Sequence, residues 1–331
     1  MQLMKRLAIA IAALWMCPLP SSGAPFFSDN FDVDPTANWT INGGLSDETA
    51  DFFFDYGSVG IPAAPNSSGT TRGMKLQANL SGGLFSGFSV SPTGQQFDGD
   101  YQVRFDWWAN FNGEFPVGGS GSTNLSTFGI GTAGNTPQSP GTQDSVWFGA
   151  TGDGNSSADW RAYSSAAPNS YLDGDPVYAA ATRNANDPYY AGFGQVEAPA
   201  AQVVLFPQQT GTTAVGSAGM EWHQVAITKS GDSLSWTVDG LLIVTIDLTT
   251  VTLSGGNIFF GHSDTNATSS TDPFDADLLF TLIDNIHVVP EPSSGLLAIL
   301  AAAIVGGCFF QQRKRSRKGE STVGGDGIHG D

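Results

Sequence analysis

The chain has 331 residues, of which 31 are acidic and 13 basic, and its formal net charge is −18. A field of that sign repels phosphate backbones and anionic membrane surfaces, so a nucleic-acid partner is excluded. Only two cysteines occur, Cys17 and Cys308, so no disulfide framework holds the rest of the chain together.

The N-terminus reads as a secretory signal peptide over residues 1–24. Lys5 and Arg6 precede the apolar run Leu7 to Met16, and Ser22-Gly23-Ala24 places small residues at the cleavage positions. The run is too short to span a bilayer, which takes about 20 residues. Pro18 and Pro20 stop it from continuing as a buried helix. Signal peptidase and the secretion machinery are the partners this end implies.

Residues 25–289 form the exported part, expected to be one all-β domain. Short runs of Val, Ile, Phe and Trp alternate with Gly, Ser, Thr, Asn and Asp, and no helical period persists over three turns. Its net charge is −21. A first strand is expected in Phe26-Phe27-Ser28-Asp29-Asn30-Phe31-Asp32. At Trp107-Trp108, neighbouring strand positions face opposite ways, so at most one ring enters the core of a one-sided sheet. The other is exposed, covered by another segment, or turned toward a ligand. Trp108, Trp147 and Tyr189 are accordingly the candidate stacking residues for sugar rings.

Gly129-Ile130-Gly131-Thr132-Ala133-Gly134 matches a dinucleotide fingerprint, but Asn135-Thr136-Pro137 follows it instead of a helix. A glycine-rich turn is the expectation. From 150 to 202 the alternation fades into a loop-rich insertion, either a flexible surface segment or a ligand platform. Within it, Asp153-Gly154-Asn155 and Asp173-Gly174-Asp175 are either good turn formers or oxygen donors for Ca²⁺. Asp153, Asn155, Asp173 and Asp175 are therefore the candidate calcium ligands.

The clearest period-2 stretch runs from Glu221 to Leu248. His223, Val225 and Ile227 alternate with polar residues before Ser230-Gly231-Asp232 turns the chain. Leu234, Trp236 and Val238 repeat the pattern, and Asp239-Gly240 turns it again. Leu242, Val244, Ile246 and Leu248 are then expected to share a face. A last strand is expected over Leu278 to Val289.

The C-terminal stretch begins with Val289-Pro290-Glu291-Pro292, a stiff extended spacer. An uncharged apolar run follows, read as a transmembrane helix over 295–312. Arg313, Lys314, Arg315, Arg317 and Lys318 then form a cytoplasmic stop, ahead of a polar tail at 319–331.

Two resemblances attach to these motifs. Residues 290–318, led in by Val289, resemble a PEP-CTERM sorting signal, except that family members often stop soon after the cations. The resemblance implies an exosortase-like processing enzyme and an inner-membrane-anchored precursor, destined for the cell surface or the extracellular polysaccharide matrix. Trp222-His223 and Asp239-Gly240, with Asp29-Asn30-Phe31-Asp32 and Trp39, resemble the laminin-G-like branch of the concanavalin-A-like lectin and glucanase sandwiches. That resemblance implies a jelly roll of two antiparallel sheets.

Glucanases of that superfamily carry paired carboxylates on one strand. Here the exported part has four glutamates, Glu48, Glu114, Glu197 and Glu221, none within six residues of another. No P-loop, G-x-S-x-G or H-E-x-x-H occurs, and the four histidines are scattered. The expected function is a non-catalytic surface or matrix protein that binds polysaccharide, neutral or cationic unless calcium bridges it. The alternatives are a glycoside hydrolase with carboxyls distant in sequence, or a purely structural coat protein.

Overall fold

The computed structural model describes residues 24–43, 47–80, 87–116, 123–139, 143–165, 170–264 and 273–291. The chain divides into two compact units, Met1–Pro290 and Glu291–Asp331. The expected signal peptide (apart from Ala24), Pro292, the apolar run at 295–312, the Arg313 to Lys318 cations and the polar tail lie outside the described residues. Among the described residues no helix is long and apolar enough to cross a membrane.

The first unit is an all-β sandwich. Its strands are β1 Phe27–Asp29, β2 Trp39–Asn42, β3 Thr49–Asp55, β4 Arg72–Gln77, β5 Gly87–Pro92, β6 Tyr101–Asn110 and β7 Asn124–Thr132. They continue as β8 Val146–Ala150, β9 Trp160–Ser164, β10 His223–Ser230, β11 Ser233–Val238, β12 Leu241–Asp247, β13 Asn257–Asp264 and β14 Phe280–Pro290. Two short helices, α1 Ala200–Leu205 and α2 Asp275–Leu278, interrupt them.

One sheet has the order β12-β11-β10-β6-β14-β4-β3, with β1 paired to β14; the other has the order β2-β5-β13-β7-β8-β9. The strand pairs within both sheets are antiparallel. Between the sheets lie Trp107, Phe128, Phe148, Trp236, Ile283 and Val288, all essentially unexposed. With no disulfide available, burial of such side chains carries the stability, each contributing on the order of 1.5–3 kcal/mol.

The meander folds as its period demands. Val225, Ile227, Leu234, Trp236 and Val238 enter the core, and Asp239 and Gly240 take left-handed conformations at φ 50° and 81° in the tight turn. The expected face of β12 is altered by a bulge: Trp236 pairs with Val244, but Thr237 pairs with Leu242. Ile243 and Val244 are therefore both buried, while Leu242 is exposed. The paired motifs also meet. Asp239 Oδ2 lies 2.6 Å from His223 Nδ1, and Asp239 Oδ1 accepts the Gln224 amide at 2.7 Å. The Trp-His strand and the Asp-Gly turn are thus one hydrogen-bonded unit.

Two expectations need correction. Gly129 to Thr132 belong to β7, and only Ala133 and Gly134 turn away. The glycine at 129 is needed because a Cβ there would lie 2.7 Å from the Phe259 ring. The insertion, in turn, is not a loose surface flap. It contains β9, and Tyr171, Tyr178, Tyr190 and Phe193 join the core, with Tyr190 stacked on Trp160 at 5.2 Å. Its backbone bonds to β12 through Ala179 and Val177, and to β9 through Tyr171. β12 and β9 are each outermost in their sheets, so the insertion covers one edge of each sheet, leaving β3 and β2 at the opposite edges. Aromatics spaced without a period still build core when the chain carrying them is irregular.

Candidate functional site

The site lies on the outer face of the larger sheet and is set by the pairing of β6, β10, β11 and β14. In β6 the inward residues are Val103, Phe105 and Trp107, which leaves Arg104, Asp106 and Trp108 outward. In β14, Asp284 pairs with Asp106 and His287 pairs with Arg104. Two residues, Asn285 and Ile286, therefore oppose the single Phe105. This bulge keeps both Ile283 and Ile286 in the core while Asp284 and His287 face outward. The extra residue is Asn285 at φ 52°, a conformation that asparagine tolerates better than most.

Register extends these pairs into rows. His287, Arg104, Ala226 and Thr237 stand side by side across four strands. Asp284, Asp106 and Gln224 form the next row. Because Ala226 is small, the first row dips, and the result is an open groove of about 550 Å³ lined by Asn66, Arg104, Gln224, Thr237, Asn285 and His287. The volume is in the range of ligand sites.

A sealed carboxylate pair supports one wall of the groove. Asp106 and Asp284 are both fully buried. Asp106 accepts from the Asn66 amide (3.1 Å), the Asn66 Nδ2 (2.7 Å) and the Asn285 Nδ2 (2.9 Å). Asp284 accepts from the Tyr56 hydroxyl at 3.0 Å and from the Asn285 amide at 2.7 Å. Burial pushes the Asp284 carboxyl up to about 7; hydrogen bonds from Tyr56 and Asn285 oppose this, and the charges of Asp106 and Asp32 add to it. The pair cannot touch a ligand. It positions Asn66 and Asn285, which do line the groove.

The sequence-based candidates fall elsewhere. Trp108 shares the outer face with the groove but is 1% exposed. It packs at 5.6 Å from Trp222 in a cluster with Tyr56, Ile61, Phe111 and Met220, and its Nε1 donates to Asn110. Trp147 is on the outer face of the smaller sheet, wholly buried, with Tyr163 stacked on it at 4.0 Å. Tyr189 donates its hydroxyl to the Leu242 carbonyl at 2.6 Å and so ties the insertion to β12. Trp108 and Trp147 present no face to a sugar, since neighbouring segments and rings already cover them.

The candidate calcium ligands are likewise occupied. Asp173 pairs with Arg183 at 2.7 Å, and that hydrogen bond holds its carboxyl below the ordinary range. Asp175 accepts the Leu172 amide within the same turn. Asn155 donates its side-chain amide to the Pro116 carbonyl, and its backbone N–H caps Asp153. Among the described residues no group of three or more His, Cys, Asp or Glu side chains has metal-binding geometry. Asp153 also lines a narrow pocket of about 30 Å³ between the sheets, with Asn110, Ser126, His262 and Asp275. There burial pushes its carboxyl up to about 6, and the space holds a water rather than a sugar ring. Val289 and Pro290, the first half of the candidate sorting motif, finish β14, with Pro290 opposite Tyr101, so the strand runs through them instead of ending before them. Glu291 is the last described residue.

Sequence reading missed Arg104, Asp106, Asp284 and His287. A signal was present for β6, where polar residues alternate with apolar ones in Val103-Arg104-Phe105-Asp106-Trp107; in β14 the adjacent polar pair Asp284-Asn285 breaks the alternation.

No family model matches this chain. No curated protein matches it either. Among solved structures it is similar to a Bacillus licheniformis beta-glucanase, with 13% identity, 82% of this chain and 100% of that chain covered, and a TM-score of 0.40. It is similar also to a Bacillus subtilis protein of unknown function with a galectin-like fold, with 10% identity, 82% and 97% coverage, and a TM-score of 0.41. A third is the Emp47p carbohydrate recognition domain, with 9% identity, 76% and 91% coverage, and a TM-score of 0.35.

Proposed function

We propose that this protein is an exported, non-catalytic polysaccharide-binding protein whose ligand lies along the groove on the outer face of the larger sheet. The observation that carries the reading is the lining of that groove. Three side-chain amides, a hydroxyl, a guanidinium and an imidazole converge there. These are the groups that exchange hydrogen bonds with sugar hydroxyls. The adjacent carboxylate pair, Asp106 with Asp284, is spent on holding the groove and is closed to substrate. Hydrolysis would need two carboxyls reaching the glycosidic bond from an open cleft. Export, membrane anchoring of a precursor by the C-terminal apolar run, and sorting by an exosortase-like enzyme to the surface or matrix complete the proposal. They rest on the two ends of the sequence alone.

A glycan array followed by calorimetry tests the binding. Gln224→Ala and Thr237→Ala, both on the rim, should each weaken a retained glycan several-fold without moving the melting temperature. Unchanged affinity in both variants would remove the groove from the proposal. The second reading, a glycoside hydrolase whose carboxyls are distant in sequence, has its own test. Release of new reducing ends from a β-glucan, abolished by changing a single Asp or Glu, would establish that reading instead.

A further inference from the structure

We infer that the groove seats an anionic substituent of the glycan, a carboxylate or a sulfate, between Arg104 and His287. The inference rests on the polysaccharide-binding reading and adds the charge class of the ligand.

Arg104 and His287 are direct register partners on adjacent strands, and both side chains are exposed on the same face. Their Cβ atoms stand about 5 Å apart in such a pair, a spacing that one carboxylate or sulfate bridges. Arg104 donates through Nε to Gln102, and its terminal nitrogens have no partner among the described residues. That is unusual among the described residues. Arg72 is paired with Asp55 and Arg183 with Asp173, while Lys75 is held between the Phe54 and Phe280 rings, 4.7 Å and 4.8 Å from their centroids. In a domain with a net charge of −21, a guanidinium opposite an imidazole with no carboxylate partner is a juxtaposition the fold has left open.

Asp106, Asp284, Asp239 and Asp29 already accept hydrogen bonds from their neighbours. Asp106 takes three donors from Asn66 and Asn285, and Asp284 takes Tyr56 and Asn285. Asp239, at the far rim, is turned to His223 and the Gln224 amide. Asp29, on the other side of His287, receives the Trp39 Nε1 and the Phe31 amide. Acids farther away count for little, because the Debye length is about 8 Å at physiological ionic strength. The domain as a whole still repels a dense polyanion. The ligand that fits both facts is a mostly neutral glycan with widely spaced anionic groups. The guanidinium supplies a planar pair of donors to such a group, and the amides of Asn66, Asn285 and Gln224 take the neighbouring hydroxyls.

Three probes separate the sources of the anion: xylohexaose bearing one glucuronate, its carboxyl-reduced counterpart, and a singly sulfated counterpart. Titrated against the full-length protein in mild detergent, the glucuronate or the sulfate probe should bind about tenfold or more tighter than the reduced one. Arg104→Gln and His287→Gln, both at exposed positions, should each remove most of that preference. The preference should also shrink as salt rises. Sulfate preferred over carboxylate supports the inference with sulfate as the anion. Equal binding of charged and reduced probes overturns it and leaves glycan binding standing. A preference that survives both substitutions overturns the placement. No binding of any probe at millimolar concentration overturns the inference together with the groove reading.

Discussion

Replacing Asp284 by asparagine should change how the protein's stability depends on pH. In the folded chain the carboxyl is pushed up to about 7, chiefly by burial, and in the unfolded chain it titrates near 4. Below about pH 4 it is protonated in both states, so no penalty applies. Between about pH 4 and pH 7 the unfolded chain ionises while the folded chain keeps its proton, so stability falls as pH rises. Above about pH 7 the loss is complete. At about 1.4 kcal/mol for each tenfold displacement of the proton equilibrium, it amounts to roughly 4 kcal/mol. For a domain of this size that corresponds to a fall in Tm of about 10 °C.

Asp284→Asn retains an acceptor for the Tyr56 hydroxyl and removes the titration. Melting curves recorded by circular dichroism between pH 4 and pH 8 should show the wild type losing about 10 °C more than the variant. The variant should be the more stable protein at pH 8. Parallel pH profiles for the two proteins would refute the reasoning, since they would mean that Asp284 reaches water or gains a cationic partner in solution.

Burial lowers His262 to about 4, so its neutral form stabilises the fold; that contribution is present above about pH 6.5 and lost as pH falls toward 4. His262→Gln should flatten the acid limb, as read from urea midpoints at pH 7 and pH 4.5. Trp108→Ala and Trp147→Ala should each cost about 3–5 kcal/mol in urea unfolding. Both should leave glycan affinity unchanged where the variant remains folded, because neither ring has an open face. Gly216 stands at φ 81° with Ala185 O only 1.9 Å from where a Cβ would sit. Gly216→Ala should therefore lower Tm by several degrees, and amide exchange should show the insertion protected like the strands; an unprotected insertion with no Tm change would mean a surface flap after all.

The sequence by itself determined whatever depends on near neighbours. The alternation from His223 to Val238 identified two strands and their inward faces. Trp107 and Trp108 had to face opposite ways because consecutive strand residues do. Asp239-Gly240 specified its turn because few residues adopt left-handed conformations without strain. Tertiary structure decided what depends on partners far away in the chain. Arg104 meets His287, and Asp106 meets Asp284, only because β6 pairs with β14, and no local pattern names the strand that will lie alongside. Coverage is equally non-local. Trp108 is buried by segments before and after it in the chain, so its outward parity, correctly read, did not make it accessible. The turns at Asp153 and Asp173 are also ambiguous locally, since an aspartate in a turn offers the same oxygens to a backbone amide, an arginine or a metal. Which of these arrives first is settled by what the fold brings within hydrogen-bonding distance, and for Asp173 that is Arg183.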